Sequence, residues 1–441
     1  MPFFTNKSTK INNYFTVLLA LLPISFIAGN LIINFNIILI IISSFLIFRK
    51  DLFKIEFFLL DKLIFSFFFL VIFTGLINDI LFLTKLYWTE NYYVAKKSIL
   101  FLKYFLLYFV IRYLIEKEIV KLKFFFITCS LGSIFVSLDI FYQFIFEEDI
   151  FGYKILSGTR KLGGPFGTEL IAGGYIQRFS LFSFFLLPIF FKEKTHKNIK
   201  YILPILFFVF FVGIILSGNR MSLVLFIFCV ILIFIFQKEV RKYILSFIII
   251  VPIIFIFVFS INDKVKTNFL SFYGQLSKIA VVTLKGDFEN EKLPPYFKEF
   301  ATFYETWRLN KYIGGGIKSF RYYCHLRENK KKVNSKFICN MHPHNYYLEI
   351  LTDTGLIGLL IMSFIFLNIL YLSFYKKYFL YSKLSSNNII TPFIFLFFIE
   401  VFPLKSSGSF FTTGNSTYFF LILAILVGII RKEQNLIENK L

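Results

Sequence analysis

Several familiar signatures are missing from this chain. It has no Walker loop, no Rossmann glycine fingerprint, no metal-binding helix motif and no internal repeat. Any reaction it runs must therefore draw its energy from the substrate and not from a nucleotide. Acidic residues are scarce, 26 Asp and Glu against 48 Lys and Arg, giving a formal charge of +22. Cysteine and histidine number only four each. No cleavable signal peptide is evident, because the first apolar run simply becomes the first span.

What is abundant is apolar. The chain is 57% hydrophobic and 21% aromatic, with a mean hydropathy of +0.72 over 441 residues. Runs of about 18 or more apolar residues read as membrane spans. Twelve are expected, near 13–29, 31–48, 63–78, 98–115, 124–146, 171–191, 201–218, 221–236, 243–260, 355–375, 389–403 and 417–430. With the N-terminus in the cytoplasm, the cytoplasmic segments carry 23 Lys and Arg and the short external loops 8. That asymmetry favours a bacterial inner-membrane protein with both termini cytoplasmic. The positive charge then records orientation and contact with membrane lipids, and nucleic acid is not an expected partner. Residues 1–260 form nine spans, 261–345 a large periplasmic loop with short helices, and 346–441 three spans.

The 261–345 segment is itself basic: its stretch 261–343 has 15 Lys and Arg against 7 Asp and Glu. Cationic side chains in that position suit a protein that grips phosphates, Arg most of all because it offers a forked pair of donors. The segment ends in "HPHNYYLEILTDTGLIGLL", residues 342–360, where His342, His344 and Asn345 stand before an apolar run. Arg220 follows the small polar turn "SGN" between two apolar spans. An ionisable residue at such depth is a functional hypothesis in its own right. Arg178 lies inside an apolar run just after Gly173 and Gly174. Asp139 and Gln143 share one helical face, Glu400 sits late in a span, and Glu169 precedes another. A proton-coupled or polysaccharide transporter would use such acids, so transport is the rival class.

"HNYYLEILTDTGLIG" resembles the signature of the O-antigen ligase and polymerase superfamily, a His-Asn followed about ten residues later by Gly-x-x-Gly. "SGNRMSLV" (217–224), "RKLGGPFGTELIAGGYIQR" (160–178) and "YETWRLNKYIGGGIKSFR" (304–321) resemble further elements of that family, in the same order. The resemblance implies an all-α membrane glycosyltransferase of the GT-C type. Such enzymes move a glycan from undecaprenyl pyrophosphate to an acceptor sugar hydroxyl without a cofactor or metal; the acceptor is lipid A core in a ligase and a growing glycan in a polymerase. The chemistry agrees: the leaving pyrophosphate must be stabilised and the acceptor hydroxyl must lose its proton. Arg220 suits the first task and His344 the second, with Pro343 restricting the backbone between the histidines. Arg160, Arg178, Glu169 and Asn345 are the expected substrate contacts. The family's second arginine is missing near Tyr296, and Lys298 or Arg321 would have to supply that charge.

Cys129 and Cys229 fall in spans and read as buried hydrophobes. Cys324 and Cys339 fall in the external segment, where a disulfide is permitted and would add on the order of 3 kcal/mol. A zinc site from Cys324, His325, Cys339 and His342 is the alternative, although its spacing lacks Cys-x-x-Cys.

Overall fold

The structure, a computed structural model, describes residues 2–83, 93–155, 161–191, 199–238, 241, 252–253, 256, 260, 263–285, 295–326, 339, 342–380, 388–406 and 408–438. In a bilayer every backbone N–H and C=O must be satisfied within the protein, which favours helices. Among the described residues the regular structure is helical, apart from one isolated bridge between Glu148 and Lys154. The principal helices are α1 (Pro2–Ala28), α2 (Asn30–Phe48), α3 (Leu59–Asn78), α4 (Tyr93–Phe101), α5 (Lys103–Glu116), α6 (Leu122–Phe146), α7 (Ala172–Phe179) and α8 (Leu181–Phe190). They continue with α9 (Ile199–Leu216), α10 (Arg220–Phe236), α11 (Asp263–Lys285), α12 (Pro295–Trp307), α13 (Tyr346–Leu370), α14 (Thr391–Glu400) and α15 (Thr413–Glu438).

Among the described residues, seven helical stretches are long and apolar enough to cross a membrane: Thr9–Ala28, Asn30–Lys54, Leu59–Leu81, Tyr93–Glu116, Leu122–Phe146, Tyr346–Tyr378 and Thr413–Gln434. Three shorter apolar helices, Tyr201–Leu216, Arg220–Phe236 and Thr391–Glu400, accompany them. The protein is thus all-helical and polytopic. Large apolar side chains such as Phe35, Leu46, Phe69, Leu131 and Leu367 stand exposed on the outside of the bundle, as a lipid-facing surface requires.

Two of the expected spans take a different form. The run 171–191 divides into α7 and α8 at a tightened turn, where Ser183 N donates to Ser180 O at 3.0 Å. The run 389–403 yields only the ten residues of α14, because Pro403 has no N–H with which to continue a helix. Most of 243–260 lies outside the described residues.

Helix α15 is the axis of the bundle. Of its apolar window 83% is buried, against 33% for α13, in keeping with a helix that is hydrophobic all round. It packs on α5 and α14, while α13 packs on α3 and α12, and α6 on α1, α7, α8 and α9. Two polar groups within α6 fasten the loops at its end. Asp139 Oδ1 accepts from Ile150 N at 2.9 Å, and Gln143 Oε1 accepts from Gly164 N at 2.9 Å.

Candidate functional site

Hydropathy marks Gly355 as the point where the apolar run begins, yet the helix starts nine residues earlier, at Tyr346. Asn345 is the reason. Its backbone is extended and its Oδ1 accepts from Tyr347 N at 3.0 Å and Leu348 N at 3.2 Å, an N-cap that satisfies two orphan donors. Its Nδ2 donates to Pro403 O at 2.7 Å, so the amide also ties α13 to the loop between α14 and α15. Tyr347 strengthens the tie through a 2.5 Å bond from its hydroxyl to Val401 O. Immediately before this cap stand His342 and His344, ring centroids 5.1 Å apart and nearly perpendicular. Burial, then the positive charge of His344 and Lys318, holds His342 below the ordinary imidazole range.

Gly355 is not a helix start but a break. It has φ 67° and ψ −170°, a backbone that favours glycine. The groups freed by the break are taken by the glycine-rich turn 314–316 and its approach. Leu356 N and Ile357 N donate to Lys311 O and Tyr312 O at 2.9 and 3.1 Å, while Gly315 N and Gly316 N donate to Thr352 O and Asp353 O at 3.0 and 2.7 Å. A Cβ on Gly314 would come within 2.5 Å of the α13 backbone, and one on Gly355 would overlap the Tyr312 carbonyl. From the other side, Thr74 and Asn78 of α3 donate to Ile313 O and Gly314 O. The two glycine motifs are therefore one backbone joint. Asp353, beside the break, accepts from Lys318 N at 2.9 Å, and one turn earlier Glu349 accepts from Ser409 Oγ and Phe410 N, each at 2.5 Å. Burial, aided by the positive charges of Lys97 and Arg321, outweighs the opposing carboxylates of Glu349 and Asp353 and leaves the Lys318 ammonium below the usual lysine range.

Arg178, on α7, reaches into this assembly. Its Nη2 donates to Glu400 Oε1 at 2.9 Å, Asn415 Oδ1 at 2.8 Å and the Tyr346 hydroxyl at 3.3 Å. Its guanidinium lies 4.7 Å from the Tyr418 ring centroid. Glu400 is shared: Tyr346 donates to Oε1 at 2.7 Å, and Lys405 Nζ lies 2.7 Å from Oε2. Helices α7, α13, α14 and α15 thus converge on one carboxylate.

The turn before Arg220 docks on the opposite end of α7. Gly218 has φ 70°, Ser217 Oγ donates to Ile214 O at 2.7 Å, and a Cβ on Gly173 would come within 2.8 Å of Asn219 Cβ. With its amide oriented to satisfy both neighbours, Asn219 donates to Leu170 O and accepts from Gly173 N, each at 3.2 Å. Arg220 opens α10 and turns toward α11, where Nη2 donates to Ser271 Oγ at 2.9 Å and the Phe272 ring lies 5.6 Å away. The protein packed around Lys161, and after it the charge of Arg220, lowers the Lys161 ammonium. Gly173 and Arg178 are five residues apart on one helix, about 7.5 Å of rise. Helix α7 accordingly links the Arg220 turn to the start of the His344 helix.

The remaining expected residues are scattered. Arg160 lies outside the described residues. Glu169 is exposed on the loop before α7, and Lys298 is half-buried on α12. Arg321 is half-buried on the short helix Phe320–Tyr323, with its Nε buried and without a partner among the described residues. Cys324 and Cys339 are joined in a disulfide, Cα atoms 5.9 Å apart, so they are not a free thiol pair for zinc; Cys129 and Cys229 are free and buried. In the sequence Lys405 reads only as one of the eight external loop charges, and nothing singles out Asn415. The only signal for Lys405 was its isolation in the small polar loop "FPLKSSGS".

A family model described as O-antigen ligase matches residues 205–363, a stretch that runs from within α9 through Arg220, the glycine-rich turn and His344 to the break in α13. No match was found among curated proteins. The protein is therefore a polytopic membrane protein whose residues 205–363 are similar to the O-antigen ligase family.

Proposed function

We propose that the protein transfers a glycan from undecaprenyl pyrophosphate to an acceptor sugar hydroxyl at the periplasmic face of the inner membrane, ligation to lipid A core being the favoured reaction. In this reading residues 261–345 are periplasmic, both termini are cytoplasmic and no metal takes part. Arg220 stabilises the pyrophosphate as negative charge gathers on the leaving group. His344 accepts the proton of the acceptor hydroxyl as that oxygen attacks the anomeric carbon. Arg178 adds charge on the donor side, and Asn345 positions His344 by capping α13.

The observation that carries the reading is the link made by α7. One end seats the turn before Arg220 through Gly173, and the other meets Tyr346, two residues after His344, through Arg178. A donor-binding arginine and an acceptor-side base need such a connection, since misplacement by about 1 Å can cost a hundredfold in rate. Transport is less well supported. Asp139 Oδ1 and Gln143 Oε1, on side chains a proton path would use, are bonded to loop backbone. Single-turnover transfer by the purified protein, with a lipid-linked donor and either lipid A core or a second lipid-linked glycan as acceptor, tests the reading. Product on the core supports ligation, product on the lipid-linked glycan makes the protein a polymerase, and no product with either overturns the assignment.

A further inference from the structure

We propose that Lys405 is the second cation of the donor site and, with Arg178, holds the pyrophosphoryl group of a prenyl-linked donor. The inference rests on the reading that the donor carries a pyrophosphate, and it identifies the residue that supplies the charge missing near Tyr296.

The first argument is a charge count in a buried place. Lys405 is 6% exposed and Glu400 3%, counting their side chains, and Arg178 15%. Among the described residues the ionised groups acting on Lys405 are Glu400 and Arg178. Two cations therefore share one carboxylate, and Arg178 already neutralises it at 2.9 Å. A buried surplus of positive charge is expensive unless an anion completes it.

The second argument is the distribution of donors. All three hydrogen bonds of the Arg178 guanidinium leave from Nη2, so among the described residues Nε and Nη1 make none. Lys405 Nζ is buried and makes no well-formed hydrogen bond beyond its ion pair. A pyrophosphate offers many acceptor oxygens to such donors, and Arg can meet two of them side by side.

The third argument is position. Lys405 lies 4.9 Å from the Tyr346 ring centroid and two residues from Pro403, whose carbonyl receives the Asn345 amide. It therefore stands beside the helix start that carries His344. Among the described residues, neither Lys298 nor Arg321 is bonded to Arg178 or to Glu400. Burial, only partly offset by Glu400, brings the Lys405 ammonium down to about 8. Binding that needs this charge should fall as pH rises through that value. The other titratable groups facing it are Glu400, Arg178 and Tyr346, with Tyr418 behind the arginine; their ordinary values lie at about 4.3, above 12 and about 10.

The test is equilibrium binding of farnesyl pyrophosphate and of inorganic pyrophosphate to the purified full-length protein in detergent. Wild type should bind the prenyl compound more tightly than the inorganic one and lose affinity above about pH 8. Lys405→Met should weaken both by tenfold or more, the scale of one charge-assisted bond. Lys405→Arg should bind as wild type at pH 7 and hold its affinity past pH 9. That last readout separates a ligand contact from a structural role, and it survives if Lys405→Met folds poorly. A Lys405→Met protein that binds both probes like wild type, or a Lys405→Arg protein with the wild-type alkaline fall, overturns the proposal while leaving the donor reading standing. A wild-type protein that binds neither probe overturns both.

Discussion

Helix α15 connects two buried ion clusters that are built on opposite plans. Near its end, Arg431 lies 3.1 Å from Glu56 and stacks on the Phe58 ring. Beside it Arg112, fully buried, meets Asp61 at 2.5 Å, Glu116 at 3.4 Å and the Glu56 carbonyl at 2.8 Å. Asp61 is in turn bonded by Tyr108 at 2.6 Å and by Phe58 N at 2.8 Å. That cluster has three acids for two cations, although the Glu56 side chain is 74% exposed. Near the start of α15, Asn415 joins Arg178, Lys405 and Glu400, with two cations for one acid. Asn415 and Arg431 are sixteen residues apart, about 24 Å along a helix. The first cluster has acids in excess and fastens helices; the second has cations in excess. Burial of charge alone does not mark an anion site, whereas a buried surplus of positive charge points to one.

The comparison breaks most visibly under carboxylate removal. Asp61→Asn leaves Arg112 buried with a weaker partner and should cost about 3–5 kcal/mol, read as a lowered melting temperature in detergent that pyrophosphate does not restore. Glu400→Gln leaves Arg178 and Lys405 facing each other and should be destabilising on a similar scale. Here pyrophosphate should restore the melting temperature, because it supplies the missing anion. If pyrophosphate rescues both variants equally or neither, the two clusters do not differ as described.

A smaller effect is expected at the joint between α7 and the Arg220 turn. Gly173→Val should displace Asn219, cost about 1–3 kcal/mol through overpacking, and reduce transfer more than stability. Equal losses in Gly173→Val and in a lipid-facing control such as Leu131→Phe would remove α7 from the mechanism. The smallest effect belongs to His342. Its imidazole titrates below the ordinary value, so it is mostly neutral at pH 7 and gains charge only as pH falls. His342→Ala should leave the rate at pH 7 nearly unchanged and alter only the acidic limb of the pH–rate profile.

Much of this was legible in the sequence, and the illegible part has physical causes. Apolar runs revealed the helices because lipid permits little else, and "HN" before "GLIG" pointed to the start of α13. Hydropathy located where the apolar surface begins but not where the helix does, since an N-cap such as Asn345 is a matter of hydrogen bonds. It also missed that Gly355 and Gly314 form one joint, because backbone-to-backbone docking leaves no mark in composition. Arg178 and Asp139 were visible as intramembrane polar residues, but their partners were not. Glu400 is 222 residues from Arg178, and Asp139 answers a loop amide. Lys405 was counted only as an external loop charge, because its burial depends on the packing of α13, α14 and α15 around it.

The central claim is that His344 serves the acceptor while Arg220 serves the donor. It is tested most directly by single-turnover transfer and donor binding measured on the same preparations of His344→Ala and Arg220→Ala. His344→Ala should bind the lipid-linked donor like wild type and transfer about 10²–10⁴-fold more slowly, the usual contribution of a positioned base. Arg220→Ala should lose transfer altogether, and Arg220→Lys should recover little of it because the fork is gone. A His344→Ala protein that transfers at the wild-type rate, or an Arg220→Ala protein that does so, would contradict the account.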